Sequence, residues 1–295
     1  LSVTLIFLTA RKLFKDNNIA IFSSLAFSLE GIPLVLSRIG MNDSYFLLFM
    51  LLSLYFFMKD KNFVSSVALG LAAASKWTVF WFVPVLGIYY IFFKRDFKWS
   101  YLYFLFLPIL VYLISYIPFF NTGHTWDQFI ELQKQMWWYH TKLVATHAYS
   151  SSWWSWPLML RPVWLYTNQN TVGWTANIYV MGNPAILWFG LVSIISSSYW
   201  AIKSFDKKLG FVIFAYLVFF ASWAFSPRIM FLYHYLPAIP FLAIGIGYTF
   251  RKTPKFVAVF FVIAFVSYVY FYPHYTGIPI PKFLDESYYW MSSWR

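Results

Sequence analysis

The feature that most constrains this chain is an alternation of long apolar runs with very short turns that carry basic residues. A helix needs roughly 20 apolar residues to cross the hydrocarbon core, fewer where its ends are aromatic or the bilayer thins. Only helices and closed barrels satisfy their backbone in lipid. A partial run covers 1–10, and whole runs follow near 19–37, 44–58, 63–75, 77–93, 100–120, 184–202, 209–226, 229–249 and 256–272. The pattern predicts an all-α, polytopic membrane protein with nine full transmembrane helices and one partial one. Composition agrees: 11% of residues are charged, against about 25% in soluble domains.

Orientation follows from the bases. Arg11, Lys12 and Lys15, then Lys59 and Lys61, then Lys94, Arg95 and Lys98, then Lys203, Lys207 and Lys208, then Arg251, Lys252 and Lys255 occupy alternate connections. These five short turns hold fourteen of the 22 Lys and Arg, which makes them cytoplasmic by the positive-inside rule. The net charge of +12 is therefore topological, and no nucleic-acid partner is expected. Three regions result: an N-terminal transmembrane part at 1–120, an outer-face loop at 121–183, and a C-terminal four-helix region at 184–295 whose tail lies outside. The chain begins at Leu1 within an apolar run, so its first region reads as truncated at its start. The expected location is the cell membrane, crossed many times.

Charges that topology leaves over are the candidates for chemistry. Arg38 and Asp43 flank one outer turn, Lys76 and Arg228 sit at two others, and Arg161 lies in the outer loop. Glu30 falls inside a span, about two helical turns below Arg38, where a charge is usually paired or functional. Bases gathered at one level of one face point to an anion site, with Glu30 and Asp43 as acids that orient them.

The outer loop opens with capping-box spacing, Thr125 to Gln128. Phe129, Leu132, Met136, His140, Leu143, Val144 and His147 then share one helical face, which predicts an amphipathic helix lying flat in the interface. His140 and His147 are too far apart to chelate as an i,i+4 pair and no carboxylate completes a site, so no metal is expected. The segment HAYSSSWWSWPLMLRP (147–162) is too polar to span and too aromatic for an ordinary solvated loop. On physical grounds alone it reads as an interfacial belt. From 163 to 183 the loop turns polar and small. The chain has no cysteine, and no phosphate loop, Ser-His-Asp spacing or HExxH motif occurs.

Several motifs carry a resemblance. SRIGMND (37–43), ASKW (74–77), HAYSSSWWSWPLMLRPVW (147–164), GNPAILWFGL (182–191), SPRIMFLYHYLPAIPF (226–241) and YPHYTGIPIP with WMSSWR (272–281, 290–295) resemble the protein O-mannosyltransferases, membrane enzymes of the GT-C type. The resemblance implies a GT-C helical bundle and transfer of mannose from a polyprenyl-phosphate-mannose donor to Ser/Thr hydroxyls of exported polypeptides. It further implies inversion at C1, a lipid-linked sugar as substrate and no cofactor. The acidic residue that the family uses as base lies upstream of residue 1 in that comparison. A fragment without it would be inactive alone. The short outer loop resembles the bacterial form. Donor phosphate is then expected on Arg38, Lys76 and Arg228, with His147, Tyr149, Ser151, Trp153, Arg161 and His234 toward the sugar or acceptor. Two other classes remain open: a GT-C enzyme with a non-protein acceptor, and a transporter or scaffold.

Overall fold

The computed structural model describes residues 1–168 and 173–295. It is mostly helical. α1 (Ser2–Phe14), α2 (Asn17–Ser28), α3 (Gly31–Arg38), α4 (Asn42–Met58) and α5 (Asn62–Ser75) follow one another through short turns. A 3-10 turn, Trp77–Trp81, leads into α6 (Phe82–Phe93), and α7 (Tyr103–Ile114) and α8 (Ile117–Asn121) close the first part. The loop contains α9 (Trp126–Thr141), β1 (Val163–Asn168) and β2 (Trp174–Val180). The second part holds α10 (Pro184–Lys203), α11 (Lys207–Ala221), α12 (Ile239–Phe250) and α13 (Pro254–Thr276), with β3 (Ile280–Pro281) and α14 (Lys282–Ser287) in the tail.

Helices occupy each expected apolar run, but fewer meet the length of a crossing. Among the described residues four helical stretches are long and apolar enough, Trp99–Asn121, Pro184–Lys203, Lys207–Phe225 and Lys255–Thr276. The expected continuous span at 19–37 is instead two helices, α2 and α3, bent by 54°. The break falls at Leu29 and Glu30. The Glu30 side chain caps the new helix by accepting from Ile32 N–H at 3.3 Å, satisfying a donor that the interrupted ladder leaves open.

α12 is the centre. Nearly every residue from Ile239 to Phe250 is buried, as an all-round apolar helix requires. At its crossing with α2, a Cβ on Gly247 would meet Ser23 Oγ and the Ile19 carbonyl. Small residues allow this close approach, a common device where lipid supplies no hydrophobic drive. Between α4 and α5, Ser65 Oγ donates to the Ser53 carbonyl at 2.7 Å. At one end of the bundle Asp60 accepts from Lys94 at 2.5 Å and Lys98 at 2.8 Å. Those bonds, the Lys94 one first, hold its carboxyl below the ordinary carboxylate range. At the opposite end of α4 and α5, Asp43 meets Lys76.

The loop departs from an all-α reading. β1 and β2 pair antiparallel and β3 adds to β2, in the order β1-β2-β3. The polar run at 163–183 thus contains an antiparallel strand pair; residues 169–172, between the strands, lie outside the described residues. Its strands VWLYTN and WTANIYV are rich in aromatic and β-branched residues, a strand signal masked by interspersed Asn and Thr. α9 forms behind the expected capping box, with Thr125 Oγ1 and Gln128 Oε1 each accepting from the other's backbone N–H. It ends at Thr141, so Leu143, Val144 and His147 leave the predicted face.

Candidate active site

Four elements place polar side chains around one cavity of about 490 Å³. Asp43 lies in the first turn of α4, and Lys76 caps the C-terminus of α5. Lys76 Nζ reaches Asp43 Oδ1 at 2.6 Å and stands 5.9 Å from the Tyr233 ring centroid. Asp43 is buried, so its pairing with Lys76 is what makes an ionised carboxylate tolerable there. Among the described residues this uses one of the three Lys76 donors.

Arg228 enters from the segment between α11 and α12. Its NH1 donates to His140 Nδ1 at 3.0 Å and its NH2 to His234 Nε2 at 2.8 Å. The guanidinium also packs over Tyr139 and Trp223, 5.3 and 5.7 Å from their centroids. Its Nε has no partner among the described residues. Burial pulls the Arg228 guanidinium below its ordinary value, against raising contributions from Tyr139, Tyr233 and Asp43. Burial, then Arg228 and Lys76, also lowers His140 below its ordinary 6.5. Trp77 donates to Tyr112 at 3.1 Å, Tyr112 donates to Gln133 at 2.6 Å, and His140 stacks on Trp77. These contacts fasten α9 to α7 and to the turn after α5.

Arg228 stands at a junction. Besides this cavity it lines a groove of about 380 Å³, walled by Phe80, Trp81, Trp137, Trp223 and Phe225. It also lines a cleft of about 270 Å³ bordered by Ser150, Ser151 and Ser152. A cation with unused donors, beside an apolar groove and a hydroxyl-lined cleft, can hold an anionic headgroup whose tail and reaction partner leave in different directions.

The other expected site residues fall elsewhere. Arg38 is exposed at the end of α3 and donates to the Thr276 carbonyl at 3.3 Å. Gly40 and Met41 line the cavity, but Arg38 does not. Glu30 touches none of the expected bases among the described residues: it is 1% exposed and accepts from backbone N–H groups, of Ile32 and, at 3.1 Å, of Asn183. Trp153 is half-buried and packs edge-on against Phe220 with centroids 4.9 Å apart. Ser151 N–H donates to the Met230 carbonyl at 2.9 Å and its Oγ accepts from Trp156 at 3.1 Å, so it clips the loop to the Arg228 segment. His147 is exposed, and its Nδ1 accepts from Tyr149 N–H. Arg161 braces the loop: it donates to the carbonyls of Ala148, Ser293 and Arg295 and covers the Tyr149 ring. Tyr149 borders a separate cleft of about 370 Å³. His140, Tyr112 and Tyr233 line the cavity without a sequence motif to mark them. The amphipathic period places His140 on the inward face of α9, but its spacing to His147 speaks only to metal chelation.

Comparison with known proteins decides the class. Residues 1–122 match the profile for dolichyl-phosphate-mannose-protein mannosyltransferase, and residues 125–206 match the C-terminal four-helix region of protein-O-mannosyltransferase. The chain belongs to the protein O-mannosyltransferase family. A polyprenol-phosphate-mannose–protein mannosyltransferase of Mycolicibacterium smegmatis is 24% identical, over 99% of this chain and 75% of that protein. A Corynebacterium glutamicum enzyme of the same name is 22% identical over 100% and 75%. Dolichyl-phosphate-mannose–protein mannosyltransferase 1 of Saccharomyces cerevisiae is 28% identical over 57% of this chain and 24% of its own. Among solved structures, the S. cerevisiae protein O-mannosyltransferase Pmt1–Pmt2 complex bound to the sugar donor has a chain that superposes with a TM-score of 0.83. That match covers 100% of this chain and 79% of the other at 14% identity, which establishes the shared mannosyltransferase fold and not the roles of single residues.

Proposed function

We propose that the protein transfers mannose from a polyprenyl-phosphate-mannose donor to Ser/Thr hydroxyls of exported polypeptides, at the extracytoplasmic side of the cell membrane. The observation that carries this reading is the position of Arg228 where cation-lined cavity, aromatic groove and serine-lined cleft meet. Lys76 and Arg228 receive the donor phosphate, Asp43 orients Lys76, and the aromatic groove takes the start of the prenyl chain. The cleft at Ser150 to Ser152 takes the acceptor. Arg38, whose guanidinium donates to the Thr276 carbonyl and does not line the cavity, is given no contact with the phosphate in this reading.

The chemistry follows from charge. As the bond from C1 to the phosphate oxygen breaks, negative charge grows on the phosphate. Fixed cations in a poorly solvated cavity stabilise that charge more than the ground state. Nine membrane crossings, with the five basic turns inside and the tail outside, are the topology that goes with this reading. The division at residues 120 and 183 into two membrane parts and an outer loop belongs to it as well.

Retention of radiolabelled polyprenyl-phosphate-mannose by the purified chain in detergent tests the site. Arg228→Met is expected to weaken retention by roughly 10- to 100-fold, the worth of one or two hydrogen bonds to a charged group. Equal retention by Arg228→Met and the parent chain would remove Arg228 from the phosphate site.

A further inference from the structure

Arg228 is held in an unusual way. A buried guanidinium is ordinarily fixed by a carboxylate, which also cancels its charge. Here its two resolved side-chain bonds go to imidazoles, at 3.0 Å on His140 Nδ1 and 2.8 Å on His234 Nε2. The nearest carboxylate of the cavity, Asp43, is bonded to Lys76.

Donor chemistry and the charge of the guanidinium together set the protonation of both rings. Guanidinium nitrogens only donate, so His140 Nδ1 and His234 Nε2 must be bare acceptors. A neutral imidazole carries its proton on the other nitrogen. His140 is therefore protonated on Nε2. His234 Nδ1 lies 3.0 Å from both the N–H and the carbonyl of Phe231 and cannot serve both; a proton on Nε2 would face the guanidinium, which puts it on Nδ1, donating to the carbonyl at the expense of the N–H contact. The two rings are neutral and of opposite tautomer. His140 comes from α9 in the outer loop, His234 from the 3-10 turn Leu232–Ala238, so they grip Arg228 from two separate elements.

We infer that His140 and His234 are positioning residues that clamp Arg228 as neutral acceptors, fixing the guanidinium while leaving its full charge for an anionic ligand. The identity of that ligand as a lipid phosphate rests on the function proposed above; the clamp does not. A carboxylate at either place would hold Arg228 equally well and weaken the site. A hydrocarbon would free Arg228 to turn away.

Two measurements test this separately. In the full chain in detergent micelles at neutral pH, labelled with ¹⁵N-histidine, one ring should show an unprotonated Nδ1 and another an unprotonated Nε2. Both signals should shift in Arg228→Met. Imidazolium signatures at both positions, or signals indifferent to Arg228→Met, would overturn the clamp whatever the protein binds. In the second measurement the probe is a short-chain polyprenyl phosphate. His140→Asn and His234→Gln keep an acceptor near the bonded nitrogen and should stay within about threefold of the parent, whereas His140→Leu and His234→Leu should lose about tenfold or more. His140→Asp should also lose affinity, despite holding Arg228. If the Leu variants bind like the parent while Arg228→Met does not, the clamp is wrong and the phosphate reading stands. If Arg228→Met binds the probe like the parent while the tautomer signals are as expected, the clamp stands and the phosphate reading fails.

Discussion

Two histidine-centred clusters lie in the parts of the chain read as facing outward, and they are built on opposite rules. In the tail, His274 Nε2 and Asn177 Nδ2 lie 2.7 and 2.9 Å from Asp285 Oδ1, and Tyr289 donates to Oδ2 at 3.1 Å. Tyr289 and Tyr179 share a further bond at 3.2 Å. Three donors converge on one carboxylate, so its hydrogen bonding is closed although Asn177, Asp285 and Tyr289 line the cleft that Tyr149 borders. Around Arg228 and Lys76 the ratio is reversed. One carboxylate and two imidazoles accept from two cations, leaving N–H groups of both cations without a partner among the described residues, beside a cavity that both line. The lesson is that surplus donors, and not polar residues as such, mark where a ligand belongs. The closed cluster ties β2, α13 and α14 into one unit, and the open one has capacity left over.

Removing the centre of each cluster should separate them. Asp285→Ala leaves three donors unmatched in a mostly buried place, so unfolding free energy in detergent should fall by roughly 3 kcal/mol or more. Donor-lipid retention by the folded fraction should be unchanged. A loss of retention equal to that of Arg228→Met would mean that the tail cluster also serves the site.

Acidification should divide the clusters by sign and window. His140 is lowered from 6.5 when docked, so an undocked α9 takes up a proton first. Docking is thus at full strength above pH 6.5 and weakens as pH falls through that value toward the docked one. At Asp285 burial pushes the carboxyl up, but the bonds led by His274 and Asn177 together hold it below its ordinary 3.8. Its contribution persists down to that value and is lost as pH falls further. Hydrogen exchange of α9 and of β2 between pH 7.5 and 5.5 should therefore show α9 loosening while the Asp285 contribution stays intact. The smallest effect is at the entry to α9, where Thr125→Ala should fray the first turn at a cost of about 1 kcal/mol. Exchange rates at Gln128 and Phe129 would report it, with Arg228 contacts little altered.

How much of this was readable beforehand depends on the range of the interaction. Apolar runs, basic turns and the Thr125–Gln128 cap are set by residues close in sequence, and each has its counterpart in the helices observed. The break at Glu30 was not legible, because its partner Asn183 is 153 residues away and a lone acid in an apolar run looks like a charge needing a base. The strand pair was hidden by Asn and Thr, whose side chains read as loop until Trp164 and Asn177 are seen bonding across it. Within the site, Asp43, Lys76 and Arg228 are marked by their level in the predicted topology and line one cavity, which His234, marked only by the resemblance and for the sugar or acceptor side, also lines. Arg38 shares that level but points to the end of α13, since depth along a helix says nothing about its azimuth.

One consequence of the Lys76–Asp43 contact concerns leaving and not arriving. A lipid phosphate freed of its sugar carries more charge than the donor did, and an unopposed pair of cations would hold it fast. Under the proposed function, Asp43 is a resident rival for the same ammonium, at hand when the spent carrier loosens. Its competition would cap the grip, so that the pocket empties and the next carrier enters.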